Sequence, residues 1–517
     1  MPHTTDVVVV GAGPAGLAAA VTAAEAGLGV TLVDTAARPG GQYWRHYDPA
    51  HARPGDHVGH HGWRVFTGLR DRLDALRADG RLRHLPGRQV WLVTREPDGT
   101  FTLRTTATVT AAPEPPDGAE RTLSARALVL CPGGYDRQLP VPGWDLPGVL
   151  TAGGVQALLK GHRTPAGRRA VVAGTGPFLL PVATGLARAG VTVAAVVEAN
   201  GTLGWLRDPV GATSAPGKGI EALGYAALMA RHRVPYRTRT VVREVLGADR
   251  VKGVRVARVD RDGRPTGPDE EIAADLVAFG WGFTPSLELP LMLGVDTAVD
   301  TDGSLVVTVD DVQRSSVEGV YVAGEATGVG GAALAVHEGR LAALALAAAR
   351  GRSADPGTIR RLARAVRRGR RFATAMHRTY PVPPAWPEWL SESTLVCRCE
   401  EVSYGDLRRA HDDLGAEDAR TLKMLARPGM GWCQGRVCGF ATAGIAACLR
   451  GRGSTPEDLR PLATRSLAVP VPLGELAALT GDATPVGATD ATPVGATDTT
   501  PVGATDATLE EGGPNGE

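Results

Sequence analysis

The stretch from residue 6 to residue 34 constrains this chain more than any other. It reads as one βαβ unit: an apolar run from Val7 to Val10, the turn Gly11-Ala12-Gly13-Pro14-Ala15-Gly16, an alanine-rich helix to Ala26, and a second strand from Val30 to Val33. Each glycine has its own reason. Gly11 permits the sharp turn, Gly13 lets a pyrophosphate approach backbone N–H groups, and Gly16 lets the helix lie close on the strand. The anion then sits at a helix N-terminus, where unpaired N–H donors and the macrodipole favour negative charge. Asp34 ends the second strand about 20 residues further on, placed to accept from ribose hydroxyls. Strand, turn, helix, second strand and acid in register specify a dinucleotide site rather than an accidental glycine turn.

The chain has 517 residues, and at roughly 150 residues per domain that length predicts about three domains. A net charge of +1, from 56 basic and 55 acidic side chains, argues against nucleic acid or another polyanion as partner. No basic segment with an apolar core precedes the first strand, so no signal peptide is read. The longest apolar helix candidate, residues 341–349, falls short of the roughly 18 residues that a membrane span needs. A cytoplasmic protein without a transmembrane segment is the expectation. Six cysteines in so long a chain suggest no disulfide framework, and the four between 397 and 438 point to a metal or redox site.

After Asp34, Arg38-Pro39-Gly40-Gly41-Gln42 brings a second glycine-rich backbone near whatever the first unit holds. His46, His51, His57, His60 and His61 follow among Pro and Gly without fixed ligand spacing, which reads as a mobile loop near the active site rather than a metal site. A helix over 63–78, strands around 89–94 and 100–110, and an apolar strand over 127–130 ending at Cys131-Pro132-Gly133-Gly134 come next. A second βαβ signal then appears: a strand over 170–173, the turn Gly174-Thr175-Gly176-Pro177, a helix over 179–189 and a strand over 191–197 ending in Glu198. Here Leu179 replaces the third glycine and Pro181 removes an early helix bond, so the helix is expected to be shifted and the pocket altered. The reading leaves open NAD, another adenine nucleotide or no ligand, with Glu198 favouring a free 2′-hydroxyl and hence NAD over NADP.

Strands around 241–245, 251–259 and 276–280 lead to Val320-Tyr321-Val322-Ala323-Gly324-Glu325, a strand delivering an acid, and then to a long helix after Gly331. His337 on that helix reads as a packing residue. An arginine-rich helix over 360–371 reads as a solvated linker, with an acidic partner surface as the alternative. Cys131 and Cys448 read as small buried apolar residues. ATPVGATD repeats from residue 483, a tract with too little apolar area to offset ordering entropy, and it is expected to be disordered.

The first dinucleotide unit, the inserted second one and the returning strand at 320–325 together resemble the two-dinucleotide-binding-domain flavoproteins related to pyridine nucleotide-disulfide reductases. The resemblance implies an α/β chain with two Rossmann-like domains of three-layer ββα form. The first is discontinuous, at 1–150 and 275–350, and the second is inserted at 151–274. It also implies FAD across the first domain: pyrophosphate at Gly11, Ala12, Gly13, Pro14, Ala15 and Gly16, adenosine ribose at Asp34, and further contacts at Gly41, Gln42, Val90 and Gly133. The ribityl chain falls near Gly324 and Glu325, where most relatives carry Asp, and the flavin pyrimidine edge faces Gly331 and Ala332. The possible second nucleotide falls at Gly174, Gly176 and Glu198.

No paired redox cysteines occur before Cys397, so electrons need another route. Cys397-Arg398-Cys399-Glu400-Glu401 and Cys433-Gln434-Gly435-Arg436-Val437-Cys438 offer four thiolates, as a [2Fe–2S] cluster requires. Neither ferredoxin spacing fits. CRCEEV and GMGWCQGRVC are instead similar to the bacterioferritin-associated-ferredoxin-like domain fused to alpha subunits of opine oxidases, D-hydroxyproline dehydrogenases, hydrogen cyanide synthase and sarcosine oxidases. The expectation is a small, mainly helical domain at 391–465 after a linker region at 351–390, with Cys397, Cys399, Cys433 and Cys438 as ligands and one helical segment over 405–426. Structural zinc is the alternative, though a C-x-C hook is tighter than the usual knuckle.

The resemblance implies an electron-relay subunit containing FAD and [2Fe–2S], working with a flavoprotein beta subunit that oxidises an amine or amino acid, and with an electron acceptor. No general base or paired carboxylates can be placed at the flavin, so no catalytic residue is assigned. Two other readings remain: an NADH-dependent reductase of a ferredoxin-like or oxygenase partner, and a nucleotide-binding scaffold without redox cycling.

Overall fold

The structure is a computed structural model and describes residues 4–51, 57–108 and 121–482. The repeats beginning at residue 483 lie outside the described residues. Residues 1–470 form one compact unit and 471–517 another, in which the helix Leu473–Asp482 is described.

Val7–Val10, Val30–Asp34 and Leu128–Leu130 are apolar except at Thr31 and Asp34 and buried at every residue, as parallel strands under covering layers must be. With Leu82–Pro86 and Val320–Val322 at the edges they make a five-stranded parallel sheet. Helices Pro14–Glu25 and Ala332–Ala349 lie over one face. Their contact depends on Gly339, where a Cβ would stand 2.0 Å from the Ala15 carbonyl oxygen. A four-stranded sheet containing Arg88–Arg95 and Phe101–Ala107 covers the other face. Ala332–Ala349 has 18 residues and mean hydropathy 1.3, enough by length and composition for a membrane span, so the shorter apolar stretch expected at 341–349 is corrected. Of that window, 67% is buried inside the fold.

The second sheet repeats this plan, with five parallel strands in the order Val149–Thr151, Leu276–Gly280, Arg169–Gly174, Thr192–Glu198 and Tyr236–Thr238, beside a three-stranded antiparallel sheet. This corrects the expected domain limits. Leu276–Gly280 pairs on both sides within the second sheet, because a strand buried at every residue needs neighbours on both edges. The misfit at Leu179 is relieved by a neighbour: Leu179 is fully buried, and a Cβ on Gly280 would come within 2.9 Å of its Cδ2. The missing glycine of the turn is compensated by a glycine in the adjacent strand.

The arginine helix runs Pro356–Thr379, capped by Asp355, which accepts from the N–H groups of Gly357 and Thr358. It is more than a solvated linker, because Ala363, Val366 and Ala373 are buried on one side and Ala375 on another. Beyond it, a hairpin of Leu395–Cys397 and Val402–Ser403 precedes helices Tyr404–Asp412, Ala419–Ala426, Gly439–Leu449 and Pro456–Ala463. The single helical segment expected over 405–426 is two helices, broken where Gly415 takes φ +71°. Cys131 is buried as expected, whereas Cys448 is exposed near the end of its helix.

Candidate functional site

Gly11 adopts φ +96°, and a Cβ there would lie 2.3 Å from the Cys131 carbonyl oxygen. A Cβ on Gly16 would lie 1.7 Å from the Gly11 carbonyl oxygen. These two positions accept no side chain. Gly13 caps the helix and Pro14 opens it, where its missing N–H costs nothing. A Cβ on Gly13 would meet nothing nearer than the Gly41 Cα at 4.0 Å, so the space above it is kept for something other than protein. Ala15, whose Cβ a Cβ on Gly324 would approach to 3.1 Å, ties the returning strand to the same helix start. Gly133 lies two residues beyond Cys131 and takes φ +73° with open space over its Cα.

Asp34 is buried, accepting from the N–H of Ala12 and, at 2.6 Å, from that of Ala36. Burial raises its pKa against those two bonds. Glu325 follows Gly324 (φ +84°), and burial, opposed by Arg370, pushes its pKa up to about 7. Its Oε2 is buried with no hydrogen-bond partner, an acceptor that a ligand hydroxyl would satisfy. Gly331 (φ +86°) caps the helix that Ala332 opens. The Val90 side chain is buried in the core between the sheets, and Gln42 is exposed and bonded to Arg45.

Two residues at this site carry no local sequence pattern. Glu338 is wholly buried in the apolar helix Ala332–Ala349; it accepts from the Gly324 N–H at 2.9 Å and pairs with Arg370 at 2.5 Å. Arg370 comes from the arginine helix and also bonds the Gly328 carbonyl oxygen. A lone carboxylate in an apolar helix signals that a cation must come from elsewhere.

The second turn is closed by the chain itself. Glu198 is wholly buried and accepts from the Gly176 N–H at 2.8 Å, the Asn200 N–H at 2.9 Å and the Thr175 hydroxyl at 3.1 Å. Burial raises its pKa to about 7 against those bonds. The Asn200 side-chain amide donates to the Pro381 carbonyl oxygen at 2.8 Å, and the Tyr380 Cβ lies 3.8 Å from where a Cβ on Gly176 would be. Trp205 donates to the Tyr380 hydroxyl at 3.2 Å and stacks on Phe372. Gly174, Gly176 and Glu198 are thus gathered, with residues 380 and 381 laid over them.

The four clustered cysteines meet as two pairs. Cys397 ends its strand and shares a hydrogen bond with Cys438, which lowers the Cys397 pKa to about 5 against burial and raises that of Cys438. Cys399 faces Cys433: the Cys433 backbone N–H pulls its pKa down, while burial and the Cys433 thiol outweigh this and raise it. The Gly429 N–H donates to the Cys397 Sγ at 3.4 Å, and Gly431 has no room for a Cβ, which would stand 2.3 Å from the Cys399 Cβ. Among the described residues, no group of three or more His, Cys, Asp or Glu side chains closes around a single metal position. A continuous set of contacts joins these loops to Gly133, beside the first glycine turn. The Gly133 carbonyl oxygen accepts from the Ser286 N–H at 3.0 Å. Two residues on, buried Glu288 pairs with Arg436 at 3.0 Å and Arg465 at 2.9 Å. Arg436 donates to the Cys433 carbonyl oxygen at 3.2 Å, and Arg465 to that of Gln434.

The family described as pyridine nucleotide-disulphide oxidoreductase matches residues 5–349. The chain belongs to that family. It is an FAD-dependent oxidoreductase. An opine oxidase subunit of Rhizobium meliloti is 33% identical over 488 residues, spanning 92% of this chain and 87% of that protein. Hydrogen cyanide synthase subunit HcnB of Pseudomonas protegens is 32% identical over 446 residues, spanning 83% of this chain and 89% of that protein. Both spans exceed the part matched by the family. L-proline dehydrogenase from P. horikoshii shares the fold, with a TM-score of 0.62 at 18% identity over 92% of this chain and 79% of that one.

Proposed function

We propose that this chain is the electron-relay subunit of a cytoplasmic, multi-component oxidoreductase acting on the C–N bond of an amine, imino acid or opine, with a flavoprotein partner on which the substrate is oxidised. The contact path from Gly133 through Ser286 and Glu288 to Arg436 and Cys433 carries this reading, because it fastens the cysteine loops to the nucleotide-binding unit. The names of the relatives, each belonging to one component of a larger enzyme, support the partner.

In this reading FAD lies at the first turn. Gly11, Gly13 and Gly16 give the pyrophosphate its approach, Asp34 holds the turn through Ala12 and faces the ribose, and Glu325 Oε2 accepts from a ribityl hydroxyl. Glu338 and Arg370 fix the Gly324 backbone that presents Glu325. Cys397, Cys399, Cys433 and Cys438 hold a [2Fe–2S] cluster. The two thiol pairs supply the four thiolates that a [2Fe–2S] cluster takes, and the Gly429 N–H is a donor to a ligating sulfur. Bound at these residues, FAD would supply uptake of electrons in pairs with release one at a time, and the cluster would supply one-electron transfer onward to an acceptor. Arg436 and Arg465 place cationic charge beside the cysteine loop, where added negative charge would be stabilised. The second turn binds no dinucleotide, since residues 380 and 381 lie over it.

Iron and acid-labile sulfide analysis of the intact protein tests this reading, with about two equivalents of each expected per chain. Cys433→Ser should abolish the paramagnetic signal of the reduced cluster while flavin content holds. One zinc and no sulfide would overturn the relay.

A further inference from the structure

A cavity of about 890 Å³ opens between the loop carrying His60 and His61, the helix Pro216–Arg231 that follows the second glycine turn in the chain and the start of helix Ala332–Ala349. It is lined by neither glycine turn nor cysteine loop. Trp44, Val65, Ile220 and Val336 make much of its wall, and its charges are unevenly divided. The one acid, Glu221, is neutralised by Lys218 at 2.7 Å. Arg188 and Arg340 also line the cavity, and neither has a hydrogen bond or ion pair among the described residues. The imidazole of His61 accepts from or donates to the Tyr225 hydroxyl at 2.5 Å. Burial, aided by Lys218, Lys160 and Arg188 and opposed by Glu221, holds its pKa below the usual value. Besides the Lys218–Glu221 and His61–Tyr225 pairs, the cavity presents the guanidinium groups of Arg188 and Arg340, which have no partner at contact distance among the described residues, on a mostly apolar wall; Glu25 acts on Arg340 only from further away.

We propose that this cavity binds a small organic carboxylate, with Arg188 and Arg340 as anchors for one or two carboxylate groups and the apolar wall receiving the carbon body. Guanidinium forks match carboxylate geometry, and an unpaired cation beside an apolar wall gains most from an anion that brings its own apolar surface. Inorganic phosphate fits worse, because the wall would strip water from oxygens it cannot hydrogen-bond. The cavity reaches Ala332, where the proposed flavin edge lies, so the inference rests on the flavin placement given above, and flavin content is followed in every variant.

The test uses the full chain as purified, with butyrate, succinate and inorganic phosphate at matched ionic strength, read by thermal midpoint and by titration calorimetry. At least one of the two acids should raise the midpoint in a saturable way, and phosphate should not. Arg188→Gln and Arg340→Gln should each weaken that acid by about tenfold or more, as loss of a charged hydrogen bond does. Val65→Trp narrows the cavity from a half-exposed position without touching a charge, and should abolish binding while flavin content stays unchanged. No saturable shift with either acid, an equal shift with phosphate, or unaltered affinity in Arg188→Gln/Arg340→Gln would overturn the proposal.

Discussion

The two glycine turns start from the same βαβ pattern and end in opposite conditions. At the first, the third glycine is present, the space over Gly13 is kept clear, and a buried oxygen of Glu325 lacks a partner. At the second, Leu179 takes the third position, every bond that Glu198 makes goes to its own turn and to Asn200, and Tyr380 and Pro381 lie across the opening. A Rossmann-type turn is therefore only a capacity to bind a dinucleotide. Whether that capacity is used depends on what the rest of the chain brings to its mouth.

The largest effect should come from Gly13→Trp, which fills the space over the first turn and should remove all bound flavin from a chain that still folds. Asn200→Ala at the second turn releases the Pro381 carbonyl and the Thr175 hydroxyl, both remote from the first turn, and should leave flavin content at the wild-type level. Absorbance of both proteins checks the contrast, and full flavin in the first variant would break it. Anaerobic NADH should leave the flavin band of the wild-type chain unchanged, because the second turn is covered. Prompt bleaching would show that it opens.

A smaller effect is expected from the relocated glycine. Gly280→Val should clash with Leu179 and cost about 1–3 kcal/mol in urea denaturation, as overpacking does. Adding Leu179→Ala should restore most of the loss, and failure to restore would mean that Gly280 serves another purpose.

The smallest effect is a pH slope. Glu325 has a folded pKa of about 7 against the ordinary 4.5. In that interval the folded state holds a proton that the unfolded chain releases, so its contribution to stability is present below about pH 4.5 and is lost as pH rises through about 7. Glu325→Gln should flatten the decline in the denaturation midpoint of flavin-free protein between those values. An unchanged slope would assign the decline to other buried acids such as Glu198.

Much of this architecture was legible in local pattern. Val7–Val10 and Leu276–Gly280 are continuous apolar runs, and Trp63–Ala78 repeats its buried positions at helical spacing, so each could be read to its ends. The glycine turn and its acid were legible because close backbone approach leaves few residue choices. What the sequence concealed were partnerships over long separations. Nothing near Glu338 announces Arg370, nothing near Gly176 announces Tyr380, and the contacts of Glu288 with Arg436 and Arg465 join segments far apart in the chain. The cavity carrying His60 and His61 was legible only as a loop near a site, since its cationic wall comes from three separate segments. Gly280 was missed for a related reason: the glycine that accommodates Leu179 sits in another strand.

The most direct measurement is the nucleotide content of the intact protein. The purified full chain is denatured and the released nucleotides are separated and quantified against protein. One FAD per chain and no second adenine nucleotide is the predicted result, since the first turn is open and the second is covered by its own chain. A second nucleotide released in equal amount would contradict it, because residues 380 and 381 would then have to leave the turn they cover.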